Sequence, residues 1–152
     1  RDVISHKPDW VSISCGVNDV WHGEKGVPLP DYKRNMIEIV ERCQKAGIKV
    51  LLLTATPIHE DLQSPENIKL RDYNAFLREL AEEKDLLLCD LFNTFADWYK
   101  IKLNDNKLMT TDGVHMNPRG NRLMAREILQ TLGMTWREMR QAEKRWELVN
   151  NM

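Results

Sequence analysis

The run KVLLLT, residues Lys49 to Thr54, decides the fold class. Its four central residues are valine and leucine, so a strand formed here has two apolar faces. Two similar runs, residues 9–15 (DWVSISC) and 86–91 (LLLCDL), lie about 40 residues before it and after it. Strands that are apolar on both faces must be covered on both faces, which is typical of a parallel sheet between helices.

Helical patterns fill both intervals between these runs. Five apolar residues share one helical face over residues 31–46, and Gly47 is placed to end that helix. They are Tyr32, Met36, Ile39, Val40 and Cys43. A second helical period covers residues 67–83. The alternation predicts right-handed crossovers with helices on both faces of the sheet.

Two more helices follow the third run. They are predicted at residues 92–101 and 118–132, the latter with Asn117 as its N-cap and Pro118 at its first position. A chain of 152 residues with 42% apolar residues can bury one core. We therefore predict a single α/β domain over residues 1–135.

Residues 136–152 form a separate pattern, that of an amphipathic helix. Its predicted apolar face holds Trp136, Met139, Ala142, Trp146 and Val149. This face either docks on the flank of the sheet or contacts a partner or a second subunit. The sequence leaves both alternatives, and with them the oligomeric state, open.

The charges of the chain are balanced. The 22 Lys and Arg residues nearly match the 23 Asp and Glu residues, which gives a net charge of −1. This balance provides no strong field for nucleic acid or for an anionic membrane. No apolar run approaches the roughly 20 residues that span a bilayer. We therefore predict a soluble protein that binds a small neutral or weakly charged ligand.

The three cysteines, Cys15, Cys43 and Cys89, lie far apart among apolar neighbours. This pattern predicts small buried residues rather than disulfides or zinc ligands, and it favours a reducing, cytoplasmic compartment. The chain starts at Arg1 instead of methionine and soon enters a strand, so we predict that it continues a longer product. A signal peptide upstream of Arg1 would instead indicate secretion.

Polar residues follow the first predicted strand in the segment Gly16-Val17-Asn18-Asp19. Ligands bind at the carboxyl edge of an open α/β sheet. The amide of Asn18 can donate a hydrogen bond to an oxygen that becomes negative in a tetrahedral intermediate. The alternative is an Asx turn that only reverses the chain.

A second polar segment, Thr111 to Pro118, precedes the helix predicted at residues 118–132. Asp112 and His115 lie three residues apart in it. A carboxylate that accepts the Nδ1 hydrogen of an imidazole fixes its tautomer and makes it a general base. The alternative is a turn-forming aspartate beside an ordinary surface histidine.

Together the two segments resemble the SGNH hydrolases, which are GDSL-like esterases. That family has a Gly-x-Asn-Asp block after a central strand and an Asp-x-x-His block before the last helix. The matching residues are Gly16, Asn18, Asp19, Asp112 and His115. The resemblance covers residues 9 to about 132. It implies a flavodoxin-like, three-layer α/β/α sandwich with a parallel sheet, the SGNH hydrolase fold.

The resemblance also implies ester hydrolysis by a serine nucleophile, with no metal and no organic cofactor. Asn18 would donate to the oxyanion, His115 would act as base and then as acid, and Asp112 would orient it. Gly16 and Asp19 would support the oxyanion block. The implied partner is a small-molecule ester, such as an acetylated carbohydrate.

The family's Gly-Asp-Ser block is missing from this sequence. None of the four serines, Ser5, Ser12, Ser14 and Ser64, follows Gly-Asp. Either the nucleophile and one or two further strands lie upstream of Arg1, or the protein is a natural variant that binds a sugar or partner without turnover. We favour the first, because the chemical groups that serve a serine are retained.

Other residues at the carboxyl edge are candidates for a substrate pocket. Trp21 follows the oxyanion block, and Pro57 follows the second strand. An aromatic side chain there suits a sugar ring or a small acyl group, although Trp21 would serve equally well as cover for the rim of the sheet. The four histidines lack metal-ligand spacing, so a metal hydrolase is disfavoured. Flavin binding is also disfavoured, because no phosphate-binding loop follows a strand.

Overall fold

A computed structural model describes residues 2–101 and 108–150, with side chains up to residue 145. Its sheet has three strands, β1 (Trp10–Ser14), β2 (Lys49–Leu53) and β3 (Leu87–Cys89). All pairs are parallel in the order β1-β2-β3, with Ile13 opposite Leu52 and Leu52 opposite Leu88. The three predicted strands and the parallel sheet are confirmed, with ends one or two residues shorter than predicted.

Six α-helices accompany these strands in the described residues. They are α1 (Val17–Trp21), α2 (Leu29–Lys45), α3 (Pro65–Glu83), α4 (Leu91–Ile101), α5 (Pro118–Thr131) and α6 (Trp136–Asn150). Gly47 follows α2 with a φ of 74°, a left-handed conformation that suits glycine and ends the helix as predicted. Sequence analysis missed α1, because five residues are too few to show a helical period.

The sheet separates two apolar cores. Val50 and Leu52 of β2 contribute to one core, together with residues of α2 and α3. Leu51 and Leu53 contribute to the other, together with residues of α4 and α5. Successive residues of a strand point to opposite faces, so helices cover both sides of β2. This confirms the predicted three-layer α/β/α arrangement. Of the predicted apolar face of α2, only Ile39 is exposed.

The strand β1 forms the outer edge of this sheet. It pairs with β2 on one side only in the described part of the chain, and Trp10, Ser12 and Ser14 on it are exposed. The prediction that all three cysteines are buried is wrong for Cys15, because it follows this open edge strand and is exposed. Cys43 and Cys89 are buried, and all three thiols are free. The reducing compartment stays a prediction.

The last helix, α6, packs against α5. Of the predicted apolar face, Met139 is buried, whereas Trp136 is 55% exposed and Ala142 is exposed. The guanidinium of Arg126 lies 4.6 Å from the centroid of the Trp136 ring, a distance typical of a cation–π contact. The side chains of Trp146 and Val149 lie outside the described residues. Within the described ranges, every helix is too short or too polar to cross a bilayer.

Candidate active site

Asp112 and His115 form the pair that the sequence predicted. Nδ1 of His115 lies 2.6 Å from Oδ2 of Asp112. The other carboxylate oxygen accepts hydrogen bonds from the backbone N–H groups of Val114, at 3.0 Å, and His115, at 2.8 Å. Both side chains are accessible, with exposed fractions of 49% for Asp112 and 70% for His115.

These hydrogen bonds set the charge of Asp112. The backbone N–H of His115 and then its ring lower the pKa of Asp112 from 3.8 to about 2. The carboxylate is therefore ionised at neutral pH and acts only as an acceptor. Nδ1 of His115 consequently carries the hydrogen in this pair, which leaves Nε2 free to accept a proton.

The short helix α1 carries the predicted oxyanion block. Gly16 precedes it with a φ of 125°, and a Cβ there would lie 3.3 Å from Cβ of Ala55. The positive φ strongly favours glycine, and the tight space adds to this preference. Asn18 is exposed, and its side chain makes no hydrogen bond to another described residue. The helix therefore replaces the Asx turn that was the alternative, and the Asn18 amide is free to bind a ligand.

Trp21 brings α1 next to the Asp112–His115 pair. The Trp21 ring meets the His115 ring edge to face, with centroids 6.1 Å apart and an interplanar angle of 80°. Residues three apart lie on the same side of a helix, so Asn18 and Trp21 share one side of α1. The structure thus places the two predicted segments at one edge of the sheet.

Asp19, the central residue of α1, contacts the loop that follows this helix. Its Oδ1 accepts a hydrogen bond from the backbone N–H of Val27 at 3.2 Å. The backbone of Asp19 lies so close to Gly26 that a side chain at position 26 would overlap it. Asp19 therefore holds the loop that follows Trp21.

The loop after β2 lies at the same edge. Pro57 is buried within it, so its side chain is not open to a ligand in the described structure. The backbone N–H of His59 donates to the carbonyl of Gly113 at 2.6 Å. This hydrogen bond ties the loop after β2 to the loop that carries Asp112 and His115.

Two buried asparagines of α3 hold that loop, and sequence analysis did not single them out. Oδ1 of Asn74 accepts from the N–H of Ala55 at 2.8 Å, and its amide donates to the Ala55 carbonyl at 3.0 Å. Asn67 makes the same pair of bonds with Ile58, at 2.8 and 2.6 Å. Polar residues seven positions apart on an otherwise apolar helix face were the available signal.

The four serines of the chain are Ser5, Ser12, Ser14 and Ser64. Ser12 and Ser14 are in β1, as predicted, and Ser64 caps α3 by accepting from the N–H of Asn67. None of the four bonds to His115 in the described residues. Among the same residues, no three His, Cys, Asp or Glu side chains are grouped so as to hold a metal ion.

The sequence of this chain matches a known family. A profile of the GDSL-like Lipase/Acylhydrolase family matches residues 1–123. The chain belongs to this family. The resemblance that the two segments suggested is thereby confirmed.

Similar members of the family include enzymes that act on carbohydrate esters. The chain is 30% identical over 143 residues to an acetylxylan esterase of Geobacillus stearothermophilus, and the match covers 90% of this chain and 64% of the relative. It is 32% identical over 145 residues to the GDSL esterase/lipase CPRD49 of Arabidopsis thaliana, with coverages of 83% and 55%. The chain therefore spans less than two thirds of the length of these relatives.

Solved structures agree with the fold. The acetylxylan esterase Axe2 from Geobacillus stearothermophilus matches with a TM-score of 0.80 at 29% identity, covering 90% of this chain and 64% of Axe2. The acetyl xylan esterase AlAXEase also matches with a TM-score of 0.80, at 32% identity and with coverages of 85% and 69%. The family fold predicted from the sequence is thus confirmed.

Proposed function

We propose that the protein containing this chain hydrolyses esters of a small acyl group, such as acetyl, on a carbohydrate. The observation that carries this proposal is the Asp112–His115 pair, whose Nδ1–Oδ2 distance is 2.6 Å. Such a pair leaves Nε2 of His115 as a base for an alcohol nucleophile. The proposal requires no metal and no organic cofactor.

The proposed chemistry is acyl transfer in two steps. Nε2 of His115 takes the proton of a serine hydroxyl as its oxygen attacks the ester carbonyl, and Asp112 stabilises the imidazolium. The Asn18 amide donates to the oxyanion, and His115 then protonates the departing sugar alcohol. Water repeats the sequence on the acyl-enzyme, releasing the acid and restoring the serine.

The serine would lie upstream of Arg1. Catalytic mutants of Axe2 replace a serine near its amino terminus, an aspartate or a histidine, and the last two are three positions apart. Asp112 and His115 have the same spacing. A serine upstream of Arg1 would complete the same set of three groups, and the chain alone should then be nearly inactive.

The substrate class rests on Trp21 and on the relatives. The Trp21 side chain is 37% exposed and lies beside His115, which suits stacking on a sugar ring. Two similar enzymes are acetylxylan esterases. With a net charge of −1, we infer a neutral carbohydrate ester rather than nucleic acid or a membrane lipid.

A binding module without turnover is the second candidate. It is favoured by one observation, namely that none of the serines of this chain bonds to His115 in the described residues. It predicts saturable binding of an acetylated sugar without release of acetate.

The deciding experiment uses the full-length gene product. We expect it to hydrolyse p-nitrophenyl acetate and acetylated xylo-oligosaccharides, and a serine-directed phosphonate should stop turnover by labelling an upstream serine. Binding without turnover and without a labelled serine would establish the binding module instead.

In the active product, Asn18→Ala should lower kcat by roughly 10²–10³-fold. The control Asn35→Ala changes an exposed residue of α2 and should leave kcat unchanged; an unchanged rate in Asn18→Ala would remove its oxyanion role.

A further inference from the structure

Glu60, in the loop after β2, accepts three hydrogen bonds on a single oxygen. Its Oε1 lies 2.8 Å from the backbone nitrogen of Met109 and 2.8 Å from that of Thr110. The third donor is the Thr110 hydroxyl, at 2.7 Å. Hydrogen bonds to an ionised carboxylate are the stronger class, so this contact fixes Met109 and Thr110 against the loop after β2.

The backbone around Glu60 is shaped for this contact. His59 and Glu60 have φ angles of 59° and 55°, a left-handed conformation that side chains other than glycine rarely adopt. Two such residues in succession persist only where surrounding contacts hold them. The hydrogen bond from His59 to Gly113 is one of these contacts. Gly113 itself has a φ of 91°, and a Cβ there would overlap the His59 ring.

Thr110 connects Glu60 to the loop that carries Asp112 and His115. Its hydroxyl donates to Glu60 and accepts from the backbone N–H of Gly113 at 3.2 Å. Gly113 lies between Asp112 and His115 along the chain. Glu60 therefore acts on the segment from Met109 to Gly113 without touching His115.

The remaining hydrogen bonds of this segment are made mainly among residues 108–117. Thr111 bonds to the carbonyl of His115, and Asn117 bonds to Leu108, Met109 and Thr110. These bonds shape the loop, but they do not tie it to the loop after β2, as Glu60 and His59 do. Asn67 and Asn74 in turn hold the loop after β2 on α3.

We propose that Glu60 is a positioning residue, which holds the segment 109–113 so that Asp112 and His115 keep the geometry of a general base. Its catalytic consequence rests on the proposed esterase function. Its structural consequence does not, because the Asp112–His115 pair can be observed without turnover.

The first test is NMR spectroscopy on the chain, following the titration of the Asp112 carboxyl carbon and the tautomer of the His115 ring nitrogens. In Glu60→Ala we expect the pKa of Asp112 to rise from about 2 towards 3.8, and the Nδ1–H tautomer of His115 to lose population. Glu60→Gln retains an acceptor oxygen and should largely preserve both signals. Glu79→Ala removes an exposed carboxylate of α3 and is the matched control.

The proposal would be overturned if folded Glu60→Ala had the same Asp112 titration and the same His115 tautomer as the wild type. If Glu60→Ala does not fold, Thr110→Val decides, because it removes the hydroxyl that links Glu60 to Gly113 at nearly constant volume. We expect a smaller rise of the Asp112 pKa in this variant, and wild-type behaviour would equally overturn the proposal.

The second test uses the full-length gene product. Glu60→Ala should lower kcat by roughly 10²-fold, as displacements of about 1 Å do, with KM unchanged. Glu60→Gln should recover most of that loss. Full activity in Glu60→Ala would reject the positioning role of Glu60 but not the proposed esterase function. A wild-type product without esterase activity would reject the proposed function, while the NMR test of Glu60 would still stand.

Discussion

At the scale of single residues, Asp112 combines two tasks in one carboxylate. One oxygen accepts two backbone N–H groups and thereby shapes the turn, while the other accepts the ring of His115. The shape of the turn and the orientation of the His115 ring therefore depend on the same negative charge. Because these hydrogen bonds favour the ionised form, they also lower the pKa of Asp112 to about 2.

This lowered pKa predicts a specific pH dependence. A carboxyl group whose pKa falls on folding stabilises the protein above its ordinary pKa of 3.8, and this contribution is lost as the pH falls from 3.8 to about 2. Asp112→Asn removes this titration, and every other carboxylate is common to both proteins. We expect the difference in free energy of unfolding between wild type and Asp112→Asn to shrink over that range, measured by urea denaturation. A difference that stays constant down to pH 2 would contradict it.

At the scale of elements, α3 does more than cover the sheet. The backbone of the loop after β2 lies outside the sheet and, among the described residues, has no neighbouring strand to bond to. The buried side chains of Asn67 and Asn74 accept hydrogen bonds from this backbone instead. Both side chains are fully buried. The loop that carries Glu60 is therefore fixed from within the core, and a well-packed helix determines the shape of this edge of the sheet.

Removing one of these asparagines should cost stability. Asn74→Ala leaves the buried N–H and carbonyl of Ala55 without partners, and each such group costs about 1–3 kcal/mol. We expect Asn74→Ala to lower the free energy of unfolding by about 2–4 kcal/mol, measured by urea denaturation. Asn35→Ala, on the exposed side of α2, should change it by less than about 0.5 kcal/mol. A loss below about 1 kcal/mol in Asn74→Ala would show that water or a shift of the loop replaces the amide.

The elements differ in how well the sequence predicts them. The apolar run at β2 and the helical period of α2 extend over enough residues to be read directly, and Gly47 marks where α2 ends. Asp112 and His115 are also predictable, because they are three residues apart and interact locally. The bond from Glu60 to Thr110 joins residues 50 positions apart and leaves no periodic trace in the sequence.

At the scale of the whole molecule, the sequence predicted the three layers but not which residues at their edges are exposed to solvent. The alternation of strands and helices determines a three-layer sandwich, since each apolar strand face needs a helix. Whether an edge strand is covered depends on residues elsewhere in the chain, and Cys15 at the end of β1 was therefore wrongly predicted to be buried. The helix predicted at the end of the chain is present as α6 and packs against α5, but the sequence could not show that Met139 is buried there while Trp136 is exposed.

Stability should accordingly be uneven across the molecule, and α6 should be its weakest large helix. Met139 is the one buried residue among the described side chains of α6, and an ion pair between Arg126 and Glu143 adds a contact at 3.3 Å. Both partners of this ion pair are about one third exposed, and such pairs contribute little. Among the described side chains, the docking of α6 therefore depends mainly on Met139 and on the contact of Arg126 with Trp136. Segments with few buried apolar contacts open at lower free energy than the core.

Native-state hydrogen exchange measures this difference. We expect the amides of α6 to exchange faster than those of β2, and Met139→Ala should accelerate exchange in α6 while leaving β2 unchanged. Gln141→Ala, on the exposed side of α6, should change neither. If the amides of α6 exchange as slowly as those of β2, and Met139→Ala accelerates both together, then α6 unfolds with the sheet. The helix would in that case be an integral layer of the domain rather than a separate element docked on α5.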